Sequence, residues 1–183
     1  MTIGASIAGG LIRMEEVPEH KFILDVCCGG RMFWFDKSHP NVIYTDNREA
    51  EPGHVDQRNC QHSVKPDILM DFRKIEFPDN SFNLVVWDPP HLKSLSKTSI
   101  MAKKYGCLDS ETWKDDLSKG FKECMRVLKP QGFLIFKWNE CEISRKEVLS
   151  LFSVPPLFGH PIHSKIKTHW MCFMKYGLKE GTS

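Results

Sequence analysis

The chain has 183 residues, of which 41% are hydrophobic, so it suits one α/β domain with a sizeable core and leaves no room for a second domain. Its formal net charge of +2 is far from the strongly basic balance that by itself would indicate a nucleic-acid-binding protein. No stretch approaches the roughly 20 apolar residues of a membrane span, and no secretory signal is recognisable, so we expect a soluble, cytoplasmic protein without a membrane partner.

The N-terminal part of the chain is predicted to be irregular. Residues 1–20 contain many small side chains without a clear period, which predicts a flexible leader ahead of a domain at residues 21–183. The domain begins with a short apolar run at residues 22–26, which has the length of a strand and leads to the pair Gly29-Gly30. This pattern is typical of a strand followed by a tight turn.

A strand and helix alternation follows the turn. Residues 31–37 are rich in aromatic side chains and are predicted to open a helix, and residues 42–45 form a second buried strand, which completes a βαβ unit. Three further apolar runs, each bounded by Asp, Gly or Pro, predict buried parallel strands at residues 67–70, 84–87 and 133–136.

The C-terminal half contains the clearest helix pattern. Apolar residues recur every three or four positions over residues 109–128, with Asp109 or Ser110 placed to cap the helix. A shorter helix is predicted over residues 144–152 and a terminal strand over residues 169–176. The fold class is therefore α/β, a single Rossmann-like, doubly wound and mostly parallel sheet with an antiparallel C-terminal strand.

Ligands of such sheets bind outside the carboxyl ends of the strands, where this chain has several acidic residues. Gly29-Gly30 lets a ligand approach the backbone, although the pair also suits a plain tight turn. Asp46 lies 21 positions after Asp25, close to the spacing at which a carboxylate meets the ribose hydroxyls of a nucleoside. Asp71-Phe72 combines an acceptor for an exocyclic amine with apolar surface for an adenine ring.

The fourth predicted strand ends in Asp88-Pro89-Pro90-His91. The two prolines fix the backbone at the edge where a sheet presents ligands, which makes Asp88 a rigid acceptor. Two prolines also make an ordinary strand stop, which is the alternative interpretation.

Together these motifs resemble the class I S-adenosylmethionine-dependent methyltransferases, and the resemblance covers residues 21–176. In that family the turn after the first strand lies under the methionine portion of the cofactor, and acids after the next two strands bind ribose and adenine. The resemblance implies S-adenosylmethionine as cofactor and residues 125–132 as the approach to the fifth strand. It assigns cofactor binding to Asp25, Cys27, Cys28, Gly29, Gly30, Asp46, Asn47, Asp71, Phe72 and Asp88. Arg31 stands where the family usually has glycine and is expected to meet the cofactor carboxylate.

Asp88-Pro89-Pro90-His91 resembles the motif of the family members that methylate exocyclic amino groups of nucleic-acid bases. The Asp88 carboxylate and the Pro89 carbonyl would each accept a hydrogen bond from the target amine, and Pro90 would stiffen the loop. His91 would take the place of the usual aromatic residue that stacks on the base. The runs 31–35 and 136–140 also resemble small uncharacterised methyltransferases of bacterial and phage genomes, which supply no substrate.

The substrate is less well defined than the reaction. Lys93, Lys103 and Lys104 belong to a polar segment, residues 92–105, that lies either over the site and touches phosphates or in solvent. Trp138 is predicted either to stack on a base or to belong to the core. DNA, RNA and a small-molecule amine all remain open as substrates, as does a non-catalytic, cofactor-binding subunit, and the sequence leaves the oligomeric state open.

Cysteine and histidine give little indication of a metal. The seven cysteines are irregularly spaced, which favours free thiols in a reducing compartment. Cys60, His62 and His54 invite comparison with a zinc site, but no second pair has ligand spacing, so no metal is expected.

Overall fold

The computed structural model describes residues 17–55, 61–94, 99–160 and 167–177. Most of the predicted leader therefore lies outside the described residues, and residues 17–20 form coil and a turn. Within the described part of the chain, no helix is long and apolar enough to cross a membrane.

A seven-stranded sheet forms the centre of the molecule. Its strands are β1 (Ile23–Asp25), β2 (Val42–Asp46), β5 (Ile68–Leu69), β6 (Phe82–Trp87), β7 (Leu128–Asn139), β8 (Phe158–Gly159) and β9 (Thr168–Met174). They lie in the order β5-β2-β1-β6-β7-β9-β8. The first five are parallel, whereas β9 pairs antiparallel with both β7 and β8. The predicted doubly wound sheet with an antiparallel C-terminal strand is confirmed.

Three helices accompany this sheet in the described part of the chain, α1 (Ile100–Tyr105), α2 (Trp113–Val127) and α3 (Arg145–Leu149). The long predicted helix is confirmed as α2, but it begins later than expected. Asp109 accepts hydrogen bonds from the amides of Glu111 and Thr112 at 2.8 and 3.1 Å, so it closes a turn ahead of the helix.

Helix α3 is shorter than the predicted 144–152. It begins at a capping box in which Ser144 and Glu147 bond each other's backbone amides. After Leu149 the chain continues in tight turns, because the amides of Leu151 and Phe152 bond carbonyls three residues back.

The predicted helix at residues 31–37 is wrong. Residues 26–41, all described, run between β1 and β2 as turns and coil. Arg31 adopts a left-handed φ of 53°, which a right-handed helix cannot accommodate. The aromatic residues serve packing instead: Phe33 meets Trp170 edge-on at 5.5 Å, and Trp34 meets Tyr44 edge-on at 5.3 Å.

A two-stranded antiparallel hairpin, β3 (Ala50–Val55) and β4 (Gln61–Val64), lies between β2 and β5 and was not predicted. In its register His54 lies opposite His62, whereas Cys60 lies outside the described residues. Among the described residues, no three His, Cys, Asp or Glu side chains are grouped so as to hold a metal ion.

The main core lies between the sheet and helix α2. Phe121 of α2 stacks on Phe152 with ring centroids 4.1 Å apart, and both rings contact Phe173 of β9 edge-on. Gly120 allows α2 to approach the sheet closely, since a Cβ there would lie 2.5 Å from Phe72 Cδ2 and 2.7 Å from Trp87 Cζ2. This packing fixes the ends of β5 and β6, where the candidate site lies.

Candidate functional site

The carboxyl ends of β1, β2 and β6 border a cavity of about 420 Å³. Ten of the residues that the sequence singled out contribute to its wall, namely Cys27, Cys28, Gly29, Gly30, Asp46, Asn47, Phe72, Asp88, Pro90 and Lys104. The ends of the parallel strands bring together the turn at Cys27, Asp46 and Asp88, and helix α1 adds Lys104.

The turn after β1 forms the floor of the cavity. Gly29 has a φ of +48°, and a Cβ on it would meet nothing within 4 Å. Its amide donates a hydrogen bond of 2.9 Å to Asp46 Oδ2, which ties the turn to the end of β2. The turn therefore presents open space and backbone to a ligand.

Asp46 is almost fully buried at the end of β2. Besides the Gly29 amide, its carboxylate accepts hydrogen bonds from Arg48, through the backbone amide at 3.1 Å, Nε at 3.0 Å and Nη2 at 3.2 Å. A ribose at Asp46 would therefore compete with Arg48 for the carboxylate oxygens. Arg48 also lines the cavity, although the sequence analysis did not single it out. The signal that could have identified it is its position two residues after Asp46, the acid that ends β2.

Phe72 lines the cavity as predicted, but Asp71 does not. Arg73 folds back on Asp71 and bonds both carboxylate oxygens, at 2.9 Å from Nε and 2.5 Å from Nη2. Burial alone would raise the pKa of Asp71, but the hydrogen bonds from Arg73 outweigh it, and the pKa lies below its usual value. Arg73 and Asp116 form the wall here instead. Arg73 Nη1 donates a hydrogen bond of 3.2 Å to Asp116 Oδ1.

Asp25 lies beneath the turn and outside the cavity wall. It is fully buried, and Oδ2 accepts a hydrogen bond of 2.7 Å from Trp34 Nε1. Burial raises the pKa of Asp25 to about 7, against the opposing effect of the Trp34 hydrogen bond. The structure gives this acid a supporting position rather than the predicted contact with the ligand.

Arg31 does not line the cavity in which it was expected to meet the cofactor carboxylate. Its guanidinium bonds the carbonyls of Lys37 and Lys65 and forms an ion pair of 2.8 Å with Asp67. It also lies 3.8 Å above the centre of the Tyr44 ring. Because the backbone of residue 31 is left-handed, glycine would suit this position. The contacts of the Arg31 side chain hold the arginine in that conformation.

The Asp88-Pro89-Pro90-His91 motif follows β6 directly. Asp88 Oδ2 accepts a hydrogen bond of 2.5 Å from Lys137 Nζ, while Oδ1 is buried and has no partner among the described residues. Burial raises the pKa of Asp88, although the Lys137 ammonium opposes that shift. Pro90 lies under the segment that follows α1, since a Cβ on Gly106 would be 2.8 Å from Pro90 Cγ.

His91 and Trp138 lie outside the cavity wall. His91 Nδ1 lies 3.2 Å from the Pro89 carbonyl, which can only accept, so we assign the imidazole proton to Nδ1. Burial lowers the pKa of His91, which favours the neutral ring. Trp138 is fully buried beside His91 and donates from Nε1 to the Ile143 carbonyl, so the core interpretation of Trp138 holds and the predicted base stacking does not.

The three candidate lysines differ in position. Lys104 lines the cavity with Tyr105 and Gly106, so this part of the predicted polar segment lies over the site. Lys93 instead places its ammonium 5.3 Å from the centre of the Trp113 ring, outside the cavity wall. The side chain of Lys103 lies outside the described residues.

The two cysteines of the turn hold their thiols in the protonated form. Burial raises the pKa of the Cys27 thiol well above its usual value and that of Cys28 to about 12, and the nearby carboxylates add to both shifts. All described cysteines are free, as the sequence predicted. Neutral thiols at the floor of the cavity behave as small apolar groups.

No family model matches the sequence, and no curated protein matches it. Solved structures resemble it: a TehB-like S-adenosylmethionine-dependent methyltransferase from Corynebacterium glutamicum aligns over 87% of this chain and 82% of its own, at 14% identity and a TM-score of 0.50. A Methanosarcina mazei S-adenosylmethionine-dependent methyltransferase covers 88% of this chain and 99% of its own, at 13% identity and a TM-score of 0.49. The structure of a Pyrococcus horikoshii protein aligns over 85% of this chain and 81% of its own, at 15% identity and a TM-score of 0.48. At these identities the likeness concerns the fold, and the chain has the Rossmann-like fold seen in the C. glutamicum methyltransferase.

Proposed function

We propose that this protein is an S-adenosylmethionine-dependent methyltransferase that acts on an exocyclic amino group of a nucleic-acid base. The observation that carries the proposal is Asp88 Oδ1, a buried carboxylate oxygen without a partner among the described residues, on the rigid loop at the cavity wall. A buried acceptor of this kind is costly unless a ligand supplies a donor.

The residues that line the cavity suit the parts of S-adenosylmethionine. The open turn at Gly29 leaves space for the methionine portion. The Asp46 carboxylate would accept the ribose hydroxyls in place of the hydrogen bonds from the Arg48 guanidinium. Phe72 offers apolar surface for the adenine ring. Acidic and basic side chains both line the wall, and the carboxylates of Asp46 and Asp88 are paired with Arg48 and Lys137.

The Asp-Pro-Pro loop would hold the target amine. Asp88 Oδ1 would accept one hydrogen bond from the amino group, and the Pro89 carbonyl, which also accepts from His91 Nδ1, would accept the other through its second lone pair. Together they would orient the nitrogen lone pair toward the cofactor. Bound S-adenosylmethionine would supply an electrophilic methyl group, which the nitrogen attacks while the carbon–sulfur bond breaks and its electron pair stays on sulfur. The surplus proton of the methylated nitrogen then passes to water.

A nucleic-acid base is the favoured substrate because the loop geometry suits a planar amine, and Lys104 and Tyr105 lie over the same cavity. A lysine can contact a backbone phosphate, and an aromatic ring can stack on a neighbouring base. A small-molecule amine is the second candidate. It is favoured by the close packing of Gly106 on Pro90, which narrows the space above the loop.

The proposal is tested by transfer of tritiated methyl groups from S-adenosylmethionine to separate pools of DNA, transfer RNA, ribosomal RNA and small amines. We expect label in one nucleic-acid pool with the wild-type protein and a loss of at least tenfold with Asp88→Ala. Label in the small amines alone would favour the second candidate. Equal labelling by wild type and Asp88→Ala would contradict the role of the loop.

A further inference from the structure

Lys137 is a cavity residue to which the resemblance and the proposed mechanism give no role. The register of β6 and β7 pairs Trp87 with Phe136, so Asp88 and Lys137 occupy the next positions along two parallel neighbours. Along β7 the side chains alternate, with Phe136 and Trp138 in the core and Lys137 on the opposite face. The strand therefore directs Lys137 to the cavity wall beside Asp88.

The Lys137 ammonium has a defined position. It is an ion-pair partner of Asp88 Oδ2 at 2.5 Å, and the two side chains are only 25% and 17% exposed. It also lies 5.7 Å from the centre of the Phe33 ring and 5.8 Å from that of Trp170. Two aromatic rings and a carboxylate thus surround the charge and limit its movement.

The charges around Asp88 come from three elements. Lys137 on β7 and His91 on the same loop favour the carboxylate, while Asp25 on β1 repels it. The Cys27 thiol in the turn after β1 lies within electrostatic range of Asp88 and is neutral. His91 is a weak counter-charge because burial favours its neutral form. Lys137 is therefore the main group that opposes protonation of Asp88.

Protonation of Asp88 would weaken it as an acceptor, because it removes the negative charge and turns one of the two oxygens into a donor. A carboxylate accepts from an amine, whereas a carboxylic acid donates from one oxygen. Because Oδ2 is occupied by Lys137, the remaining oxygen available to a substrate is Oδ1. Lys137 thus favours the ionised form of Asp88 and leaves Oδ1 as the oxygen that meets the ligand.

We propose that Lys137 is a positioning residue, which keeps Asp88 ionised through Oδ2 and leaves Oδ1 to accept a hydrogen bond from the substrate amine. This proposal rests on the amine-binding role proposed above for Asp88.

The first test measures the titration of Asp88 without any substrate. Protein labelled with ¹³C at the Asp side-chain carboxyl is titrated by NMR, and Asp88 is assigned from the signal missing in Asp88→Asn. We expect Lys137→Met to raise the Asp88 titration midpoint by at least one pH unit and Lys137→Arg to retain the wild-type midpoint. An unchanged midpoint in folded Lys137→Met would overturn the proposal.

Lys129 offers a matched control on the same strand. Its ammonium bonds the neutral side chain of Asn83 at 3.3 Å, in place of a carboxylate. Lys129→Met removes the same charge from β7 and should leave the Asp88 midpoint where it is. A shift as large as that of Lys137→Met would mean that the net charge of the protein, rather than the ion pair, controls Asp88.

The second test compares catalysis with cofactor binding. In Lys137→Met, the pH at which kcat falls to half on the acid side should rise in step with the NMR midpoint, while S-adenosylmethionine affinity stays within threefold. A cofactor affinity that falls as far as kcat would make Lys137 a cofactor ligand and overturn the proposal. If the wild-type protein methylates nothing, the proposed function fails, while the NMR titration still decides whether Lys137 controls Asp88.

Discussion

Asp88 has two oxygens in different situations, and the difference decides how its variants behave. Oδ2 is bound by Lys137, and Oδ1 has no partner among the described residues. Asparagine retains one carbonyl acceptor but loses the charge, whereas alanine loses both. The two substitutions therefore separate the acceptor from the charge.

We predict that Asp88→Ala lowers kcat by at least tenfold and that Asp88→Asn lowers it less, because loss of the acceptor withdraws transition-state stabilisation of about 1–3 kcal/mol. S-adenosylmethionine affinity, measured by calorimetry, should stay within tenfold in both. Wild-type turnover in Asp88→Ala would remove Asp88 from the reaction.

Asp25 makes stability depend on pH. Its pKa is about 7 in the folded protein, above the roughly 3.9 of an unfolded aspartate. The folded state therefore binds the proton more tightly. The stability that Asp25 contributes is fully present below about pH 4 and is lost as the pH rises to about 7.

We predict that Asp25→Asn removes this dependence, because asparagine does not titrate. The free energy of unfolding of wild type minus that of the variant should fall by a few kcal/mol, roughly 1 to 4, between pH 4 and pH 8. Urea unfolding of both proteins across this range gives the difference. A difference that does not change with pH would place the Asp25 pKa near its ordinary value.

Single residues also show what sequence reasoning could find at the site. The wall positions of Asp46, Phe72 and Asp88 follow from their places at strand ends, which is a property of chain order. The positions of Asp71 and Trp138 were not predictable in this way. They depend on which neighbour a side chain bonds, Arg73 in one case and the Ile143 carbonyl in the other.

Among the elements, helix α2 connects the core to the site through Gly120. Alanine would ordinarily stabilise a helix interior by about 1 kcal/mol relative to glycine. At Gly120, however, the added methyl would lie 2.5 Å from Phe72 Cδ2 and 2.7 Å from Trp87 Cζ2. Because Phe72 lines the cavity, a shift of its ring also changes the ligand site.

We predict that Gly120→Ala lowers the free energy of unfolding by about 1–3 kcal/mol and weakens S-adenosylmethionine binding, because overpacking outweighs helix propensity. Chemical denaturation and calorimetry measure the two effects. Lys122→Ala, at an exposed position of the same helix, is the control and should change neither by much. A Gly120→Ala protein as stable as wild type would mean that α2 shifts away from Phe72 and Trp87 without cost and would contradict the prediction.

The segment between β1 and β2 shows why element prediction failed locally. Residues 31–37 are rich in aromatic side chains, and these find their partners on strands outside the segment. Phe33 packs on Trp170, and Trp34 bonds Asp25. Tertiary contacts of this kind override local preference, and one sequence does not reveal them.

At the scale of the whole molecule, the order of the strands explains where most of the site residues lie. Alternating apolar runs were enough to predict a parallel sheet with its ligand edge, and the observed strand order confirms it. The hairpin β3–β4 was missed because residues 50–64 lack the continuous apolar run of a buried strand. The sheet then brings the Gly29 turn, Asp46 and Asp88 to one cavity.

The central claim is that this cavity binds S-adenosylmethionine through Asp46. Calorimetric titration of the cofactor into wild type, Asp46→Ala and the surface control Asp115→Ala tests it most directly. We predict one site per chain in wild type and in Asp115→Ala, and binding weaker by about 1–3 kcal/mol in Asp46→Ala, the scale of hydrogen bonds to a charged group. Absence of binding in wild type, or equal affinity in all three proteins, would contradict the account.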